Sequence, residues 1–281
     1  MHGDTAHSRR TQTQTHREPP VDQTAHAPRL FVLAGTNGAG KSSIGGAMIR
    51  ANGAQYFNPD EAAARIRQAQ PHLSATQANS AAWHEGKRLL QHAVAQRLDH
   101  NFETTLGGQS FARLLKQAAE SGFEVRIWYV GLASPEHHLA SVKARVRKGG
   151  HDIPEADIRR RFDQSRLQLI QLLPHLTELR VYDNTDEGDP HQGLAPRPRL
   201  VLHWQGGVVR TPVDASSLAL TPDWAKPVVM AALKMAATKV VPKASDKPTS
   251  RSTAKPVIKP IVKPGTATGA RPKRNRPAKS P

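Results

Sequence analysis

The chain is 281 residues long and 37% apolar, enough to bury a core in one large or two small domains. Cysteine is absent, which excludes disulfides, thiolate metal sites and cysteine nucleophiles. The formal charge of +17 is unevenly spread: from Lys226 onward 14 basic residues accompany a single acid, Asp246, so the first 225 residues carry only +4.

Residues 1–28 lack the apolar core of a secretory signal and read as a disordered leader. No run approaches the ~20 apolar residues of a membrane span, so the expectation is a cytoplasmic protein with no membrane partner. The apolar run Leu30 to Leu33 ends in Ala34-Gly35, the pattern of a strand buried on both faces of a parallel sheet. Next come Gly35, Thr36, Asn37, Gly38, Ala39, Gly40, Lys41, Ser42 and Ser43, which match G-x-x-x-x-G-K-[ST]. Glycines let backbone N–H groups turn inward around a phosphate, and the helix opening near Lys41 adds unpaired N–H groups and its dipole. Lys41 is expected on the β- and γ-phosphates of ATP, and the Ser42 hydroxyl on Mg²⁺.

That helix is predicted to stop at Ala51-Asn52-Gly53, and a short strand follows at Gln55-Tyr56-Phe57. Pro59 breaks the pairing, and Asp60 has two readings, as the cap of a helix over Glu61 to Gln68 or as a functional carboxylate. Ser74 to Leu98 reads as one long scaffold helix. Asn101 to Thr105 reads as a strand delivering Glu103, Thr104 and Thr105 to the carboxyl end of the sheet, where open α/β sheets bind ligands. A helix over Ser110 to Glu120 leads to the strongest strand, Phe123 to Leu132.

Ser134-Pro135-Glu136 and Asp152-Ile153-Pro154-Glu155 each open a helix. These two helices, joined through Gly149-Gly150, carry Arg145, Arg147, Arg160 and Arg161, a set able to form a lid that closes positive charge over ATP. Leu179 to Tyr182 is a further strand. Leu200 to Trp204 and Val208 to Arg210, either side of Gln205-Gly206-Gly207, form a hairpin, with a helix near Asp223 to Ala237. The expected fold is therefore a P-loop α/β domain over 29–188, its mostly parallel sheet covered by helices on both faces. A hairpin-and-helix appendix follows at 189–240, then a disordered Lys/Pro-rich tail at 241–281.

LAGTNGAGKSS, FNPDEAA, FETTLGG, RVRKGGHDIPEADIRRRF and VYDNT, in that order, resemble the zeta toxin family over roughly Arg29 to Thr185. The resemblance implies an ATP- and Mg²⁺-dependent kinase acting on the sugar hydroxyl of UDP-N-acetylglucosamine, with an antitoxin protein as possible partner. It puts Gly35 to Ser42 on ATP, Asp60 as base for the acceptor hydroxyl, and Glu103 and Thr104 on the acceptor. One or more of Arg145, Arg147, Arg160 and Arg161 would hold the phosphates, with Arg147 and Arg160 the leading candidates. Where the founding toxins have arginine three residues after the aspartate, this chain has Ala63.

Two other classes compete. TLGGQS, Thr105 to Ser110, is similar to the signature loop of ABC-type ATPases, but the strand that follows ends in Gly131-Leu132-Ala133 rather than in paired acids. The basic tail also fits a nucleic-acid-associated ATPase or polynucleotide kinase. Without interleaved aromatics such a tail neutralises phosphates but does not stack bases, so its nucleic-acid contact would be non-specific. Removing Lys243 to Pro281 is expected to abolish salt-sensitive retention on DNA or RNA while thermal stability stays nearly unchanged; unfolding on truncation would instead make the tail structural.

Overall fold

The computed structural model describes residues 26–46, 56–186 and 197–240; the leader, the Lys/Pro-rich tail and the expected end of the first helix lie outside them. One six-stranded sheet runs in the order β2-β1-β3-β4-β5-β6. Its strands are β1 (Arg29–Ala34), β2 (His100–Thr104), β3 (Glu124–Gly131), β4 (Glu178–Asp183), β5 (Arg199–Gln205) and β6 (Val208–Thr211). β1 to β4 are parallel, and β5 and β6 add to the β4 edge as antiparallel strands. The mostly parallel α/β architecture expected from the alternation of strand and helix is therefore present.

β1 lies between β2 and β3 and reads as a near-continuous apolar run because both of its faces are covered. Leu30, Val32 and Ala34 point into the large core, shared with Leu115, Phe162, Leu169 and Val228, while Leu33 packs with Ala39 and Val130 on the opposite face. The covering helices are α1 (Ser42–Gly46, a π-helical turn), α2 (Pro59–Ala69), α3 (Ala75–Gln96), α4 (Gln109–Glu120), α5 (Pro135–Arg147), α6 (Glu155–Leu172), α7 (Ala215–Ala219) and α8 (Lys226–Val240). The short α7 has no counterpart in the sequence prediction. It is closed by a reciprocal cap between Asp214 and Ser217, a pattern that lacks the usual Glu or Gln partner.

The capping of α2 corrects one expectation. Asn58, not Asp60, is the N-cap: its side-chain oxygen accepts from the backbone N–H of Asp60 and Glu61 at 2.9 and 3.3 Å. Pro59 at the first helical position makes the preceding residue the cap, which leaves the Asp60 carboxylate free for other work. Phe57 pairs with Phe102 as a parallel bridge beside β2, the described remnant of the predicted strand at 55–57. α2 and α3 then pack through the small residues Ala62, Ala63, Ala78 and Ala82. α3 is held at its start by a capping box between Ser74 and Gln77.

The hairpin is turned by Gly206 and Gly207 at φ 60° and 91°, the paired positive values that a two-residue type I′ connection requires. Val201, Leu202, Trp204, Trp224 and Val228 belong to the same buried cluster as the β1 and β3 residues, so 199–240 is built into the sheet and core of the P-loop domain. Trp224 ties this segment to the carboxyl end of the sheet. Its indole N–H donates to Asp183 Oδ1 at 3.1 Å, and its ring covers Gly131, where a Cβ would come within 2.4 Å of the indole. Gly131→Ala is therefore expected to destabilise the fold by about 1–3 kcal/mol through overpacking, read as a lower urea midpoint with unchanged slope.

Candidate active site

The phosphate loop follows β1 directly, and three of its glycines stand where no other residue fits. Gly35, Gly38 and Gly40 have φ of 138°, 83° and 81°. A Cβ on them would lie 2.1 Å from Val130 O, 2.6 Å from His138 O and 2.6 Å from Asn184 Nδ2 respectively. The loop is thus wedged between β3, α5 and the residue after β4. Two side chains tie it there: Asn184 Nδ2 donates to Ala39 O at 3.1 Å, and His138 Nδ1 donates to Asn37 O at 2.8 Å. Neither residue was singled out by sequence reasoning. Asn184 lies within VYDNT, but nothing in periodicity or composition marks His138 as more than one polar residue among several in a helix.

Lys41 is buried, its ammonium 3.4 Å from Thr36 O and 3.5 Å from Glu103 Oε1. Glu103 Oε2 accepts from Ser42 Oγ at 2.9 Å and from Asn58 Nδ2 at 3.4 Å. Both Glu103 oxygens are therefore engaged at the phosphate-loop end, and the residue also lines the smaller cavity beside it. Thr104 Oγ1 accepts from Leu106 N at 3.1 Å, which stabilises a turn in which Leu106 takes φ +53°. Ser43 follows Ser42 in the helical turn.

Asp60 lies across from the loop. Arg145 Nη1 donates to its Oδ2 at 2.9 Å, and His151 Nε2 stands 3.8 Å from its Oδ1. Arg145 Nη2 also donates to His151 O at 3.2 Å, while its Nε is buried without a partner. Arg161 Nη1 donates to Asn37 Oδ1 at 2.8 Å, and burial pulls the Arg161 pKa below its ordinary value. Arg147 and Arg160, the two arginines favoured from sequence, are not brought to this site. Both are exposed, and Arg160 pairs with Asp157 and Gln164 on the surface of α6. The helical turn that carries Arg145 inward points Arg147, two residues on, to a different face.

Two cavities meet at Asp60. One, of about 630 Å³, is lined by the phosphate loop, Lys41, Ser42, Ser141, Arg145 and Gly149-Gly150. The other, of about 210 Å³, is lined by Trp83, Phe111, Gly107, Ser110, His151 and Arg161. Asn37, Pro59, Asp60, Glu103, Thr104 and Thr105 form a wall common to both. Trp83 sits edge-on to Phe111 at 5.9 Å, with Lys87 near its face.

The larger cavity fits a nucleotide triphosphate: a glycine cradle that a Cβ would fill, one buried lysine, and an unpartnered buried guanidinium N–H. Ser42 and Glu103 oxygens side by side fit a divalent cation carried in by the phosphates. Among the described residues no group of three His, Asp or Glu forms a metal cage of its own.

Loop, site and fold together define a P-loop phosphotransferase architecture. The sequence model of the zeta toxin family matches residues 12–188, and the chain belongs to that family. An uncharacterised protein of Haemophilus influenzae is 34% identical over 135 residues, 48% of this chain and 92% of that one. Among solved structures, the AvrRxo1-ORF1:-ORF2 complex aligns at a TM-score of 0.54 and 15% identity, over 74% of this chain and 70% of that chain. A crystal structure of the same pair with ATP aligns at 0.52 and 17%, over 65% and 60%. This chain thus spans only about three-fifths of the latter neighbour; at these identities the likeness is one of fold. No helix among the described residues is long and apolar enough to cross a membrane.

His138 gives the site a pH signature. Burial is the main cause that lowers its pKa to about 4, so the imidazole is neutral in the fold, and the proton on Nδ1 is the one given to Asn37 O. An unfolded histidine titrates near 6.5, so the unfolded chain binds the extra proton first as pH falls. The contribution is whole above about pH 6.5 and is lost toward pH 4, roughly 3 kcal/mol in all. Denaturant midpoints measured from pH 7.5 to 4 should show this acid limb, and His138→Gln, which keeps an N–H donor, should flatten it.

Proposed function

We propose that the protein is a kinase that transfers the γ-phosphoryl group of ATP to a hydroxyl of a small acceptor, with a nucleotide sugar such as UDP-N-acetylglucosamine the leading acceptor. The observation that carries this reading is the pair of cavities meeting at Asp60. One has the chemistry of a triphosphate site, the other has aromatic and polar walls, and a carboxylate released from capping stands at the seam.

Phosphoryl transfer asks for positioning and charge more than for covalent chemistry by the protein. In this reading the loop N–H groups and Lys41 hold the β- and γ-phosphates, and Asp60 accepts the proton of the acceptor hydroxyl. A bound Mg²⁺ would supply charge neutralisation between the phosphates, with Ser42 as its protein ligand and Glu103 alongside. Arg145 is on the phosphate side of the seam with an unused Nε–H, so an arriving γ-phosphate competes with Asp60 for its guanidinium. Nucleotide binding then frees the base at the moment it is needed. Arg161 and Asn37 shape the boundary between the cavities. An antitoxin partner belongs to the same proposal and rests on family membership.

The decisive experiment is ATP consumption against a panel of nucleotide sugars, nucleosides and small alcohols, with products identified by mass. Lys41→Ala is expected to abolish transfer. Asp60→Asn leaves the Asn58 cap untouched, so it should keep the fold and lose most transfer. It should also bind ATP a few-fold more tightly than wild type, with ADP affinity unchanged, because an exposed ion pair of this kind is worth up to about 1 kcal/mol. Full transfer by Asp60→Asn would remove Asp60 from the role of base.

A further inference from the structure

The connection between α5 and α6 carries a group that the kinase reading leaves unused. Gly149 adopts φ +87°, Gly150 N donates back to Arg145 O at 3.0 Å, and a Cβ on Gly150 would meet Arg145 Cγ at 2.7 Å. The double glycine therefore folds the connection tightly over the arginine and sets His151 beside Asp60. The backbone of His151 is fixed by Arg145 through its carbonyl, so the imidazole is placed without needing a hydrogen bond of its own to hold it.

Arg145 pairs with Oδ2 of Asp60, so Oδ1 is the oxygen that faces His151. His151 Nε2 lies 3.8 Å from that oxygen, beyond the ~3.2 Å limit of a direct hydrogen bond. Asp60 and His151 both line the smaller cavity. At this spacing Oδ1 and Nε2 can each hold one oxygen of a vicinal pair, whose own separation is about a hydrogen-bond length. Either tautomer of the imidazole serves, because a hydroxyl both donates and accepts. Trp83, Phe111 and Ile153 line the same cavity and offer apolar surface to the carbon faces of a ring.

We propose that His151 is the specificity residue for the acceptor: it holds the neighbouring hydroxyl of a vicinal diol while Asp60 takes the proton of the hydroxyl that is phosphorylated. The acceptor class is then a sugar or ribose bearing adjacent free hydroxyls rather than an isolated alcohol. This rests on Asp60 acting as base. A site that hydrogen-bonds a substrate hydroxyl rejects the analogue lacking it, because its own polar group is left unpaired.

The test measures initial rates of transfer from ATP by the full chain to matched acceptors differing in one hydroxyl: UDP-N-acetylglucosamine and its 4-deoxy sugar analogue, and adenosine and 2′-deoxyadenosine. Ethanolamine serves as an isolated hydroxyl. With wild type, the deoxy member of the active pair should fall roughly 10- to 100-fold in kcat/KM. His151→Ala should bring the diol down to the deoxy level, leave the deoxy acceptor within about twofold, and leave KM for ATP unchanged; His151→Asn, which keeps an N–H, should restore part of the difference. Equal loss on both members in His151→Ala, or equal use of both by wild type, overturns the proposal. Transfer to ethanolamine alone overturns it while leaving the kinase reading intact. ATP hydrolysis with no transfer to any hydroxyl overturns both.

Discussion

A phosphate loop works only if its backbone faces inward, and here that orientation depends on the exclusion of side chains from three tight approaches. Gly35 passes the carbonyl of Val130, Gly38 passes that of His138, and Gly40 passes the Asn184 amide. Each approach joins the loop to a different element, so the conformation of eight residues is determined by β3, by α5 and by the end of β4 at once. Positive φ at these positions is costly for any residue but glycine, and the surrounding packing leaves no slack in which a bulkier residue could relax. The remainder of the site inherits its geometry from this wedge.

The placement of Glu103 shows how the constraint propagates. β2 pairs with β1 in register, Leu33 opposite Glu103 and Ala34 opposite Thr104, so the carboxylate arrives at the level of the loop. Lys41, Ser42 and Asn58 then surround it. A buried carboxylate needs such partners, and they are the same groups that a nucleotide and its cation would engage. Asn58 serves twice, with its oxygen capping α2 and its amide nitrogen on Glu103. Because Asn58 holds the cap, the Asp60 carboxylate is left to pair with Arg145.

Much of this was legible in the chain itself. The strand, glycine loop and helix appear in order because the loop motif and the apolar run before it are local signals, and the four parallel strands follow from alternation of short apolar runs with helical stretches. The cap was expected at Asp60 and stands at Asn58, because Asp and Asn cap equally well by type and only the proline between them favours the earlier residue. The choice among arginines was not legible. Arg145 and Arg147 are two residues apart on one helix, Arg160 and Arg161 adjacent on the next, and only the packing of α5 and α6 decides which guanidinium enters the cavity. His138 and Asn184 were hidden for a related reason: each acts on a backbone carbonyl of the loop from 101 and 145 residues away in sequence, and nothing local announces such a contact.

The Trp224 indole has a mechanical meaning. It is hydrogen-bonded to Asp183, which also receives Thr185 Oγ1 and Arg199 Nη2, and the next residue, Asn184, reaches the phosphate loop. Stiffness at the nucleotide site is thus borrowed from a segment some forty residues downstream, through one short relay of side chains. The indole is thus a strut between the C-terminal segment and the residue beside Asn184, so the seating of the loop involves side chains far outside the motif that defines it.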